Sequence, residues 1–111
     1  MPEKELSPLN VASLLRTHGL SPKKSLGQNF LLDQAALQKI TEIAEIPLDG
    51  EVLEIGPGLG SLTRYLARVA GRVVAVELDG GLIPVLQDVL ASFTNVELIH
   101  GDILKQDPER L

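Results

Sequence analysis

The sequence predicts an α/β domain built on a parallel sheet. From Glu51 onward, short and almost continuously apolar segments alternate with amphipathic helical ones, the pattern of parallel strands covered on both faces. The first apolar segment runs straight into Gly56-Pro-Gly-Leu-Gly60, the glycine-rich turn that such sheets place between a strand and the next helix. The chain has 111 residues, 44% hydrophobic and 23% charged, which suits one ordinary globular domain and excludes wholesale disorder. A β-α-β-α-β order with right-handed crossovers gives strand order 3-2-1.

Each element follows from local signals. Residues 1–9 are polar with two prolines and read as a flexible tail. Asn10 is a good N-cap for a helix over Val11–His18, in which Val11, Leu14, Leu15 and His18 share a face, and Gly19 stops it. Ser21 to Leu32 reads as an extended connector. Asp33 caps a second helix over Gln34–Glu45, with Leu37, Ile40, Ile43 and Ala44 at helical spacing, ended by Pro47 and Gly50. These two helices make residues 10–50 an N-terminal region in front of the sheet domain, residues 51–111. Glu51–Ile55 is a strand, Ser61–Ala70 a helix with Leu62, Leu66 and Val69 on its apolar side, and Gly71 its stop. Arg72–Val76 is the second strand. Gly81–Ser92 is the next helix, with Pro84 at the edge of its first turn, where a missing N–H does little harm. Asn95–His100 is the third strand, followed by Gly101-Asp102.

Composition removes several chemistries. With no Cys there is no disulfide, thiolate nucleophile or Cys-based zinc site. The two histidines, His18 and His100, are in no metal-ligand spacing, so no metal is expected. Only Phe30, Tyr65 and Phe93 are aromatic, so the core is aliphatic. Net charge is −5 but unevenly spread. Ser7 to Leu32 contains no acid and holds Arg16, Lys23 and Lys24, whereas Glu51 onward has nine acids against five bases. No apolar run reaches the roughly 20 residues of a membrane span, and the first residues lack the pattern of a signal peptide. The expectation is a soluble, cytoplasmic protein with no membrane partner.

The candidate site lies where the strands end. Gly56, Gly58 and Gly60 permit backbone angles that a Cβ forbids and let a ligand approach the main chain. Free N–H groups at the next helix start favour polar or negative groups. Glu77 follows the second strand, 21 residues after Gly56, where an acid accepts hydrogen bonds from both hydroxyls of a ribose. Asp102 follows the third strand, where an acid can accept the exocyclic amine of an adenine; alone it reads equally as a Gly-Asp turn. Asp79 reads as the cap of the next helix. Glu54, inside the first strand, is evenly balanced between a structural role and one in holding a ligand's ammonium. Together these residues describe an adenosine-containing cofactor lying across the carboxyl ends of the strands. Which cofactor stays open: the turn is Gly-x-Gly-x-Gly rather than the Gly-x-Gly-x-x-Gly of nicotinamide enzymes, and an acid after the second strand serves both classes. A P-loop is excluded, because no Gly-Lys-[Ser/Thr] follows the turn. In the connector, Lys23 and Lys24 suggest phosphate contact.

The segment Lys-Ser-Leu-Gly-Gln-Asn-Phe-Leu-Leu-Asp over residues 24–33 resembles the signature of the ribosomal RNA small-subunit adenine dimethyltransferase family. Glu54-Ile-Gly-Pro-Gly-Leu-Gly-Ser-Leu-Thr63 is similar to that family's first S-adenosylmethionine motif, Val76-Glu-Leu-Asp79 to the next and Gly101-Asp102 to the third. The resemblance covers about residues 10–105. It implies the N-terminal part of a class I, Rossmann-like S-adenosylmethionine-dependent methyltransferase fold. Asn29 and Leu31 would then lie beside the cofactor, Gly56 under its methionine part with Gly58 and Gly60 completing the turn, Glu77 on the ribose hydroxyls and Asp102 at the adenine amino group. Arg16, Lys23 and Lys24 would touch RNA phosphates.

The family's reaction is N6,N6-dimethylation of two adjacent adenines near the 3′ end of small-subunit ribosomal RNA, its partner the immature small ribosomal subunit. Its catalytic motif, Asn-Leu-Pro-Tyr or a close variant, belongs after a fourth strand and does not occur in these 111 residues. The chain therefore reads as an N-terminal fragment without a catalytic residue of its own, inactive alone and prone to self-association through an exposed strand edge. Rival readings are a large-subunit methyltransferase of the macrolide-resistance type, a mitochondrial RNA or transcription factor of the same superfamily, and a nicotinamide-dependent oxidoreductase domain.

Overall fold

The computed structural model describes residues 6–20 and 33–111. Along them run α1 (Val11–Thr17), α2 (Gln34–Ile43), β1 (Glu51–Ile55), α3 (Ser61–Val69), β2 (Arg72–Glu77), α4 (Ile83–Val89) and β3 (Val96–His100), with 3-10 turns at Gly80–Leu82, Ile103–Lys105 and Pro108–Arg110. The extended connector expected over Ser21–Leu32 lies outside the described residues.

The sheet is parallel with order β1-β2-β3, which is the expected 3-2-1 seen from its other edge. Glu51 stands beside Arg72 and Ile55 beside Val76; Val73 stands beside Val96 and Glu77 beside His100. This register brings the three carboxyl ends level, so the segments leaving them share one edge of the sheet.

β2 is the buried spine, with Val73, Val74, Ala75 and Val76 all sequestered. Leu66, Ala67 and Ala70 of α3 and its end pack on Val73, and Leu82, Val85, Leu86 and Leu90 around α4 form a second cluster with Leu59 from the glycine turn. Val96 and Phe93 touch both clusters, and Leu98 joins the second. Both crossover helices therefore cover the face that carries Val73, Val96 and Leu98. β2 is covered on both faces as expected, Val74 and Val76 being buried on the opposite side, but both helices lie on one side, because two right-handed crossovers that step the same way along a sheet put both helices there. The cost falls on β1, where Leu53 is 46% and Ile55 61% exposed on the other face.

The N-terminal region packs onto the helical side. Leu9, Val11, Leu14 and Leu20 join the α4 cluster, α2 packs on α3, and His18 meets Asp88 of α4 at 3.2 Å. Of residues 1–9, read from sequence as a tail, Leu6 gives its carbonyl to the Gln34 side chain and Ser7 its carbonyl to the Arg64 guanidinium at 2.6 Å.

The helix ends are those of the sequence reading, with short adjustments. Asn10 Oδ1 accepts from the Ser13 N–H at 3.0 Å, and Asp33 Oδ1 from the Ala36 N–H at 2.7 Å. Gly19 takes φ +66° and Leu20 N–H closes back on Leu15 C=O at 2.8 Å, so α1 ends at Thr17 in a left-handed cap. α2 stops at Ile43, short of Glu45, which itself adopts φ +50°. The helix expected over Gly81–Ser92 begins instead as the 3-10 turn Gly80–Leu82, and α4 proper carries Pro84 in its first turn. Among the described residues no helix is long and apolar enough to cross a membrane.

Candidate functional site at the carboxyl edge of the sheet

The glycine turn grows directly out of the ladder. Gly56 N–H donates to Val76 C=O at 2.9 Å, continuing the β1–β2 pairing one residue past the strand. Gly56, Gly58 and Gly60 take φ of +69°, +63° and +86°, a region that side chains with a Cβ rarely enter. Gly60 is needed twice over, because a Cβ there would lie 3.2 Å from Leu86 Cδ2 and 3.3 Å from Val89 Cγ1. A side chain there would press on α4 as well as strain the backbone. No side chain caps α3 at Gly60, so the backbone N–H groups of its first turn receive no bond from a capping side chain, and such groups favour polar or negative partners.

Glu77 is the last residue of β2 and is only 7% exposed. Its Oε1 accepts from Gly58 N–H at 3.2 Å and its Oε2 from Asp79 N–H at 2.9 Å. The carboxylate thus ties the turn to the end of the neighbouring strand. Each carboxylate oxygen has a second lone pair, so acceptor capacity remains for a ligand's hydroxyls. Asp79 caps the following 3-10 turn, Oδ1 accepting from Gly81 N–H at 2.9 Å. Asp102, half-buried past β3, accepts from Leu104 N–H at 2.9 Å and starts the turn Ile103–Lys105. Gly80 leaves room for the imidazole of His100, which a Cβ would meet at 3.0 Å.

Glu54 alternates with Leu53 and Ile55 and so points to the helical side. The buried hydroxyl of Thr63, on the first turn of α3, donates to Glu54 Oε1. Burial pushes the Glu54 carboxyl above the usual carboxylate range, the Thr63 bond pulls it back, and the nearby Glu77 carboxylate pushes it further up. Two acids therefore flank the turn, each held by donors from the protein.

Of the residues singled out from sequence, Gly56, Gly58, Gly60, Glu77 and Asp102 come together on this edge. Arg16 sits exposed in the last turn of α1. Lys23, Lys24, Asn29 and Leu31 lie outside the described residues. Sequence reasoning missed the backbone bonds of Glu77 and the partner of Glu54; the one available signal for the latter was a Thr in the first turn of the helix following the glycines. A cavity of about 280 Å³ opens between Ser7, Asp33, Gln34, Ser61 and Arg64, and neither the turn glycines nor Glu77 nor Asp102 line it. Burial lowers the Arg64 guanidinium's hold on its proton there, with the Tyr65 and Arg68 charges acting in opposite directions. Among the described residues no group of three or more acids and histidines is placed to hold a metal ion.

Residues 19–111 match the family described as ribosomal RNA adenine dimethylase. The chain is 48% identical over 105 residues to the ribosomal RNA small subunit methyltransferase A of Listeria monocytogenes serotype 4a (strain HCC23), an alignment covering 95% of this chain and 36% of that protein. The chain thus spans about a third of the length of this relative. Among solved structures it is similar to the 23S rRNA methyltransferase ErmE, with TM-score 0.66 and 40% identity over 70% of this chain and 32% of that one. It is also similar to a coclaurine N-methyltransferase bound to N-methylheliamine and S-adenosylhomocysteine, with TM-score 0.58 and 28% identity over 66% of this chain and 22% of that one.

Proposed function

Because the chain belongs to the ribosomal RNA adenine dimethylase family, we propose that it is the cofactor-holding part of an S-adenosylmethionine-dependent enzyme that forms N6,N6-dimethyladenine at two adjacent adenines near the 3′ end of small-subunit ribosomal RNA. The observation that carries this reading is the meeting of the glycine turn, Glu77 and Asp102 at one level edge of the sheet. The residues suit such a cofactor on their own chemistry. The turn is bare of side chains where a ligand must approach the backbone, Glu77 keeps acceptor capacity for two ribose hydroxyls, and the acids flanking the turn favour a cation.

When bound, S-adenosylmethionine supplies a methyl group on a positively charged sulfur for in-line transfer to the exocyclic amine of adenine. The chain's part is to bind and orient, the kind of positioning that can supply most of such an acceleration. Glu77 would hold the ribose hydroxyls, Asp102 would accept from the adenine amino group, and Gly56 with the rest of the turn would lie under the methionine part. By the family resemblance Asn29 and Leu31 would lie beside the cofactor, and Arg16, Lys23 and Lys24 would meet phosphates of the immature small subunit. With no Asn-Leu-Pro-Tyr sequence in its 111 residues, the chain by itself turns nothing over.

The likeness to ErmE supports a second reading, methylation of large-subunit RNA. Mapping the methylated adenines made by a protein that carries this chain at the length of its relatives separates the two. Paired dimethyladenines near the 3′ end of small-subunit RNA are the expected result. A product confined to large-subunit RNA favours the second reading, and no methylated RNA at all contradicts both.

A further inference from the structure

Thr63 is completely buried, yet it spends its hydroxyl on a side chain from another element. Thr41 of α2 shows the ordinary alternative: its hydroxyl donates to Leu37 C=O one turn earlier in the same helix, at 3.0 Å. Thr63 instead reaches across to Glu54 of β1. Glu54 lies just before Gly56 and Thr63 just after Gly60, so the bond closes a loop of sequence separation nine around the whole glycine turn. On the other side Glu77 holds Gly58 N–H. The turn is braced from α3 through Glu54 and from β2 through Glu77, by two carboxylates that repel each other and rely on their donors. Any buried hydroxyl needs an acceptor; what sets Thr63 apart is that it takes one from β1 rather than from the carbonyl one turn back in its own helix.

We infer that Thr63 is a positioning residue for the cofactor site: through Glu54 it clasps the Gly56–Gly60 backbone in the shape the cofactor meets and keeps a negative charge beside it. This rests on the cofactor reading above, but the clasp has signals of its own. Without the hydroxyl, burial and the Glu77 charge both favour protonation of Glu54, with nothing to offset them.

The test is nuclear magnetic resonance on the full 111-residue chain, wild type, Thr63→Val and Thr63→Ser. It reads the titration of the Glu54 carboxyl and the amide hydrogen exchange of Gly58, Gly60 and β2. Val keeps the volume and loses the donor. In Thr63→Val, Glu54 should take its proton at higher pH, and Gly58 and Gly60 amides should exchange about tenfold faster, the scale of one hydrogen bond to a charged group. The β2 amides should be unchanged, and Thr63→Ser should restore both signals. Glu54→Ala reads the bond from its other end and should speed the same two amides. Unchanged turn amides in Thr63→Val and Glu54→Ala would overturn the proposal, as would equal acceleration in β2, which would make Thr63 only a stability residue. Adding S-adenosylhomocysteine to the wild type separates the two ideas: failure to bind counts against the cofactor reading, while the exchange and titration signals decide the clasp.

Discussion

Glu77 holds the fold at the position where we propose that it also meets the ligand. Its two oxygens already accept from Gly58 and Asp79, so removing it should loosen the turn as well as the proposed ribose contact. Glu77→Ala should weaken S-adenosylhomocysteine binding by about one to two orders of magnitude, the scale of losing charge-assisted hydrogen bonds worth about 1.5–3 kcal/mol. Glu77→Gln, which keeps one acceptor, should fall between. Isothermal titration calorimetry checks this, and unchanged affinity in Glu77→Ala contradicts the ribose role. The position of this acid was legible in the sequence, because its distance from Gly56 is a matter of strand and helix lengths. Its backbone partners were not, since they depend on the turn folding back over the end of β2. The same holds for Glu54: the sequence shows an acid in an apolar strand and leaves its purpose evenly divided, whereas the Thr63 bond needs the seating of α3 on β1 to exist.

The strands and caps were readable element by element because each has a local cause. Asn10, Asp33 and Asp79 cap where short polar side chains precede apolar periodicity, and β2 is the uniformly apolar strand that a sheet interior needs. What local patterning could not distinguish was β1 from β2, since both are apolar runs. Burial separates them, because β1 pairs with β2 on one side and with no described strand on the other. An unpaired parallel edge with Leu53 and Ile55 exposed beside it is a template for further pairing. The chain should therefore associate with itself at high concentration, and Leu53→Lys with Ile55→Lys should shift it toward monomer. Size-exclusion chromatography with hydrogen exchange checks this. A wild-type monomer at high concentration with strongly protected β1 amides contradicts it.

At the scale of the molecule, handedness supplied the strand order, and it also puts both crossover helices on one face, so that β2 is covered on both sides while β1 is left open on one. The N-terminal region was legible as helices but not as a layer: His18 against Asp88 and Leu9 to Leu20 on the α4 cluster are contacts between distant parts of the sequence. The result is a domain whose helices gather on one side and whose strand ends present acids and bare backbone at one edge, consistent with its family. We propose that this edge holds an adenosine cofactor with a positive sulfur or its neutral product. Calorimetric titration of the 111-residue chain with S-adenosylhomocysteine and, separately, with NAD tests it most directly. Saturable heat with S-adenosylhomocysteine and none with NAD is the predicted result; binding of NAD, or of neither, would contradict it.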